Sequence, residues 1–201
     1  MKQQILIING GSTYPSYEEF ITHLENVELK LDRLKPMRDW KDLLQEELGQ
    51  EYEVFIPKMP NITNARYEEW KIWFEKIIAM LNDNVILIGH SLGGVFLAKY
   101  LDENGVSKKI RATVLIAAPY DDETNESLGE FKIISALDKF TNQAGEIYLI
   151  QSKDDPVVSF GELEKYKKAL PDAKTLVLDG MGHFKVEKFP ELVDLIKNIN
   201  K

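Results

Sequence analysis

Residues Val85-Ile86-Leu87-Ile88-Gly89-His90-Ser91-Leu92-Gly93-Gly94 read as a buried strand, a very tight turn and the start of a helix. The unbroken aliphatic run before Gly89 suits a strand covered on both faces. Ser91 stands at the turn. A Gly-x-Ser-x-Gly pattern between strand and helix is the pattern of a nucleophile elbow, in which a strained turn lifts a serine hydroxyl clear of the sheet edge. Gly89 and Gly93 flank the serine because side chains there would collide as strand and helix close on each other. The five-residue pattern alone is only suggestive; its setting between an aliphatic run and an amphipathic helix gives it weight. A glycine-rich turn could also pack tightly or bind a phosphate at the helix start. The spacing fits neither the dinucleotide fingerprint nor a P-loop.

Working outward, similar aliphatic runs recur at Ile5–Ile8, Glu53–Ile56, Thr113–Ala117, Ile147–Ile150 and Thr175–Leu178. Between them lie segments with helical spacing. The first has Ser16 as N-cap and Tyr17, Phe20, Ile21, Leu24 and Val27 on one face, expected to pack in the core. Glu28 to Pro36 reads as irregular and charged. A second helix starts near Arg38 and stops at Gly49; a third is capped by Thr63 or Asn64 and buries Tyr67, Trp70, Phe74, Ile77, Ile78 and Leu81. After the elbow helix, a weaker helix is expected around Phe131–Phe140, another at Phe160–Leu170, and a last one carrying Phe189, Leu192, Val193, Ile196 and Ile199. Strands alternating with helices predict an α/β fold: a three-layer, doubly wound sheet of about six parallel strands. Ligands in such sheets bind outside the carboxyl ends of the strands. There the sequence places Gly10-Gly11, Ser91, Asp121-Asp122, Asp154-Asp155 and His183. Residues 1–201 read as a single domain, with no repeat or linker.

The 201 residues carry 33 acidic and 25 basic side chains, a net charge of -8. That argues against a nucleic-acid or anionic-membrane partner, and the acidic loops are expected to disfavour anionic substrates. Cysteine is absent, which removes a thiolate nucleophile, a disulfide or a cysteine metal site. No stretch reads as a signal peptide or a membrane span. The expectation is a soluble, cytoplasmic protein of unspecified oligomeric state.

A serine hydroxyl needs a base, usually histidine, to become a nucleophile near neutral pH. Of the 3 histidines, His23 precedes the serine on an early helix and reads as a boundary residue, while His90 adjoins Ser91 and reads as structural beneath the elbow. His183 alone lies downstream, in a glycine-flanked loop after the last strand, where the order serine, acid, histidine expects the base. Asp155, before Pro156, is the preferred acid; Asp154 is its neighbour and rival, Asp121 and Asp122 rank lower, and Asp179 is too close in the same loop. The oxyanion donors are expected to be the N–H groups of Leu92 and of the Gly10-Gly11 loop, with Gly11 preferred over Gly10 or Ser12. The loop can equally be read as a plain turn.

Taken with Met59-Pro60, the Trp70 helix, Gly89-His90-Ser91, Asp154-Asp155-Pro156 and Gly182-His183-Phe184, the chain from about Arg38 onward resembles the α/β-hydrolases, within them the small cap-less serine hydrolases of the retinoblastoma-binding protein nine family. The resemblance implies a catalytic set Ser91, Asp155 and His183, acting on a small acyl substrate, with no metal or cofactor. It implies no large cap. Residues 14–35 form an extra segment, either a small helical lid or packing at the sheet edge. The Leu92-Gly93-Gly94 ending is nearer to general esterases and lipases. The function expected is hydrolysis of small carboxylic esters or related acyl compounds. A catalytically silent scaffold of the same fold, or an acyltransferase using the same residues, are the alternatives.

Overall fold

The computed structural model describes residues 2–35, 38–122 and 127–199. Pro36, at the end of the expected irregular stretch, and residues 123–126, within the expected acidic segment Pro119–Ser127, lie outside the described residues. Six strands, β1 (Gln3–Ile8), β2 (Tyr52–Phe55), β3 (Val85–His90), β4 (Ile110–Ile116), β5 (Glu146–Ser152) and β6 (Lys174–Leu178), form one sheet in the order β2-β1-β3-β4-β5-β6. Every pairing is parallel. The chain winds outward from β1 to β2, then crosses to β3 on the other side of β1. The loops after β1 and β3 therefore part at the same carboxyl edge and leave a crevice between them.

The central strands sort their side chains by alternation. Leu6, Ile8, Val85 and Leu87 enter one core, together with the faces of α3 (Tyr67–Met80), α4 (Leu92–Glu103) and α6 (Gly161–Ala169). Ile5, Ile7, Ile86 and Ile88 enter the other, against α2 (Trp40–Leu48) and α7 (Pro190–Ile199). Both faces are covered, which is why these strands read as continuous aliphatic runs. Trp70 and Phe74 of α3 meet Phe96 of α4 edge-on, at ring separations of 5.6 and 5.4 Å, and such aromatic pairs add to simple burial. Among the described residues no helix is long and apolar enough to cross a membrane.

Three local expectations are corrected. Helix α3 is not capped by Thr63 or Asn64; it starts at Tyr67 behind Arg66, without a side-chain cap from its own turn. The Tyr67 N–H instead donates to Glu130 Oε2 at 3.1 Å, so a carboxylate from a distant segment meets the positive helix end. The expected helix at Phe131–Phe140 is a short 3-10 turn, Gly129–Phe131, and a separate α5, Asp138–Gln143. Asp102 Oδ1 of α4 accepts the Lys139 and Phe140 N–H groups at 3.0 and 3.1 Å and so starts α5 late. The apolar stripe of α1 (Tyr17–Asn26) is not core: Ser16 caps the helix, but it has no buried residue, and Tyr17, Leu24 and Val27 are exposed.

The elbow sets the tightest constraint on the fold. A Cβ on Gly93 would lie 2.1 Å from Ile8 O and 2.7 Å from Asn9 O; one on Gly89 would lie 2.5 Å from Gly93 O. The obstacles are backbone, so no side chain can move aside. Gly93→Ala is expected to destabilise the protein by about 1–3 kcal/mol by overpacking, measured as a lower urea midpoint. Gly105→Ala, where a methyl meets nothing within 4 Å, should leave the midpoint close to that of the parent. Equal midpoints for all three proteins would refute this packing account.

Candidate active site

The turn after β3 holds Ser91 at φ 55° and ψ -125°, a conformation L-residues rarely adopt. Its N–H donates to Ile116 O at 2.9 Å, tying the turn to β4, while its carbonyl accepts the Gly94 and Val95 N–H groups at 2.8 and 3.3 Å and starts α4. The β1 loop crowds the serine: a Cβ on Gly10 would lie 3.0 Å from Ser91 Cβ and 3.4 Å from its Oγ. Burial leaves the residue 9% exposed, so only its outward side meets the crevice.

His183 arrives from the loop after β6. That loop takes positive φ on both sides of the histidine, at Gly182 (50°) without cost and at the buried Phe184 (53°) with strain. Phe184 O accepts the Trp40 indole N–H at 3.1 Å, which pins the loop to α2. The Asp155 carboxylate faces His183 Nδ1 with both oxygens, at 3.1 and 2.9 Å. The Asp155 side chain is fully buried, and its Oδ1 also accepts the Val157 and Val158 N–H groups at 2.8 and 3.0 Å. A carboxylate only accepts, so Nδ1 carries a hydrogen, and in the neutral imidazole Nε2 is the nitrogen with the lone pair.

Asp154 does different work. Its Oδ1 accepts from Ser152 Oγ at 2.5 Å and from the Gly180 and Gly182 N–H groups at 3.0 and 3.2 Å. The Ser152 hydrogen bond, with those loop amides, holds its carboxyl below the usual range. Asp154 thus folds the loop that carries His183, and Asp155 touches the imidazole. The lower-ranked acids pair elsewhere, Asp121 with Lys165 at 2.7 Å and Asp122 with Lys132 at 3.0 Å. His23 stacks obliquely on Tyr14 at 5.1 Å.

Sequence reasoning underrated His90. Its ring lies 4.9 Å from the His183 ring, and its Nε2 is 3.0 Å from His183 O. The partner is a carbonyl, so Nε2 must be the donor. Burial, reinforced by the nearby Lys41 charge, pushes its pKa well down. His183 is therefore held at its ring by Asp155 and at its backbone by His90. The adjacency of His90 to Ser91 was visible; that β3 would aim its ring at a residue so distant in sequence was not.

These groups open on a cavity of about 380 Å³ lined by Asn9, Gly10, Gly11, Ser12, Ser91 and His183 among others. Ser12 N–H already donates to Ile62 O at 2.8 Å, which leaves Gly10 and Gly11 as the amides of that loop beside Ser91. Gly11 also lines a small notch of about 10 Å³ that Ser91 borders, and Leu92 lines it too. Asn9 Oδ1, buried in the cavity wall, has no hydrogen-bond partner in the protein. Residues on either side of segment 14–35 line the cavity, Ser12 before it and Asp39 and Lys41 after it, but none from the segment itself is among the lining residues. The expectation of an acidic surround is corrected: the wall carries Lys41, Lys185 and Asp39, and neither Asp121 nor Asp122. Among the described residues no group of three or more His, Asp or Glu side chains is placed to hold a metal ion.

The chain is 25% identical over 151 residues to the serine hydrolase RBBP9 of Rattus norvegicus, covering 74% of this chain and 78% of that one. The crystal structure of the ydeN gene product from B. subtilis superposes with a TM-score of 0.77 at 22% identity, covering 99% of both chains. A meta-cleavage product hydrolase from Pseudomonas fluorescens superposes with a TM-score of 0.69 at 13% identity, over 98% of this chain and 90% of that one. At such identities the structures speak for the fold, an α/β-hydrolase sheet with no large cap among the described residues. The family model for serine hydrolases matches residues 34–195, and the chain belongs to that serine hydrolase family.

Proposed function

We propose that the protein hydrolyses small carboxylic esters or related acyl compounds through an acyl-enzyme on Ser91. The observation that carries this reading is the Asp155 carboxylate on His183 Nδ1 at 2.9 Å, beside the same cavity as the strained Ser91 turn. Ser91 Oγ attacks the carbonyl carbon while His183 Nε2 takes its proton. The oxyanion is met by the N–H groups of Leu92 and Gly11, and the positive end of α4 favours the charge. Collapse breaks the bond to the leaving oxygen, which receives the proton from His183. Water then repeats the sequence at the acyl-serine, releasing the carboxylic acid and restoring Ser91. Asp155 keeps the imidazole in the useful tautomer and stabilises it while protonated. His90 is a positioning residue that fixes the backbone of the base.

A fluorophosphonate probe should label the protein stoichiometrically, and Ser91→Ala should abolish labelling and lower kcat by about 10⁶; a variant labelled like the parent would disprove the nucleophile. The two neighbouring aspartates should separate. Asp155→Asn is expected to lower kcat by about 10⁴ through the wrong tautomer, whereas Asp154→Asn, which keeps an acceptor for the loop amides, should cost far less. Similar losses in both would contradict the assignment of Asp155.

His90 predicts a stability effect. In the unfolded chain its imidazole titrates near 6.5, while in the fold burial keeps it neutral. Below about pH 6.5 the unfolded state therefore binds a proton that the folded state refuses, and stability falls with acid. Urea unfolding at pH 7.5 and pH 5 should show a smaller acid loss in His90→Asn than in the parent, by up to about 1.4 kcal/mol per pH unit. An identical pH slope in both proteins would show that His90 is not held neutral.

A further inference from the structure

Ser91 borders two spaces of very different size. Ser91, Gly11 and Val157 line both the cavity of about 380 Å³ and the notch of about 10 Å³. His183 lines only the cavity. In ester cleavage the histidine must hand its proton to the leaving oxygen, so the leaving group has to occupy the side His183 faces. The acyl remainder is left with the notch, whose mouth is bordered by both amides assigned to the oxyanion, Gly11 and Leu92. Pro119, Leu128 and Val158 line that notch together with the hydroxyl-bearing Thr13 and Ser127. Its volume is roughly that of one water-sized group.

The two sides also differ in charge. On a chain of net charge -8, the cavity wall carries two lysines and one aspartate. Lys41 Nζ is paired with Asp39 Oδ2 at 2.5 Å. Lys185, exposed at the rim, has no ion-pair partner among the described residues and leaves an unbalanced positive charge there.

From this asymmetry, and resting on the serine hydrolase reading above, we infer that the substrates are esters of an acetyl-sized acyl group with a larger, polar, anionic leaving group. The notch excludes longer acyl chains by size. The cavity selects the leaving group by attraction of its anionic group to Lys185, which salt screens.

Two ester series test this in one assay. Across 4-nitrophenyl acetate, butyrate and octanoate, kcat/KM should fall by about tenfold or more at the first step. Leu128→Ala should raise the butyrate-to-acetate ratio, a quantity independent of how much variant folds. Between 4-acetoxybenzoate and its neutral counterpart 4-acetoxybenzamide, the benzoate should have a KM roughly two- to fivefold lower. That ratio should approach one in Lys185→Gln and in high salt. Octanoate cleaved as fast as acetate would overturn the acyl-side assignment. A benzoate no better than the benzamide, or a preference that survives Lys185→Gln, would overturn the leaving-group assignment. In either case an active, probe-labelled Ser91 leaves the hydrolase reading standing. Failure of every ester together with failure to label would sink both.

Discussion

The carboxyl edge of the sheet depends on how closely the start of α4 approaches β1 and β3. At Gly93 the helix backbone comes so near Ile8 O that a methyl group would overlap it. This contact forces the turn at Ser91 into positive φ and brings the Gly10-Gly11 loop against the serine. Strain of this kind persists only where surrounding structure over-determines it. Here the Ser91 N–H bond to β4 and the filled cores on both faces do so. Packing thus sets the serine at the cavity wall and orients the start of α4 beneath it.

A second strained element faces the first. The loop of His183 is kept in place by Asp154 from inside, by Trp40 through Phe184 O, and by His90 through His183 O. These restraints come from three distant parts of the chain. They fix an imidazole whose Nδ1 is committed to Asp155 and whose Nε2 remains for chemistry. Such support matters because misplacement by about 1 Å can cost a hundredfold in rate. The same neutral His90 that supports the loop also gives the site a liability in acid.

The strands, the elbow and the order of serine, acid and histidine were legible because each rests on local pattern: aliphatic runs, a Gly-x-Ser-x-Gly turn and a single downstream histidine. What was not legible depends on contacts between distant segments. Asp154 and Asp155 share one loop, and only its folded path sends one carboxylate to the ring and the other to the loop amides. Glu130 replaces the expected cap of α3, and Asp102 starts α5; neither can be read from the helix it serves. The stripe of α1 has good helical spacing, yet amphipathic spacing does not say whether a partner face exists. The positive wall escaped notice because Lys41 and Lys185 come from opposite ends of the sequence, while the more obvious Asp121 and Asp122 turn to lysines elsewhere.

The central claim is that Ser91 carries the acyl group during turnover. Stopping the reaction with acid during steady-state cleavage of an acetate ester, then mapping peptides by mass spectrometry, tests it directly. The account predicts one acetyl group on the peptide containing Ser91, accumulating further in a variant whose deacylation is slowed and absent from Ser91→Ala. Continued turnover with Ser91 unmodified, or with the acetyl group on another residue, would contradict it.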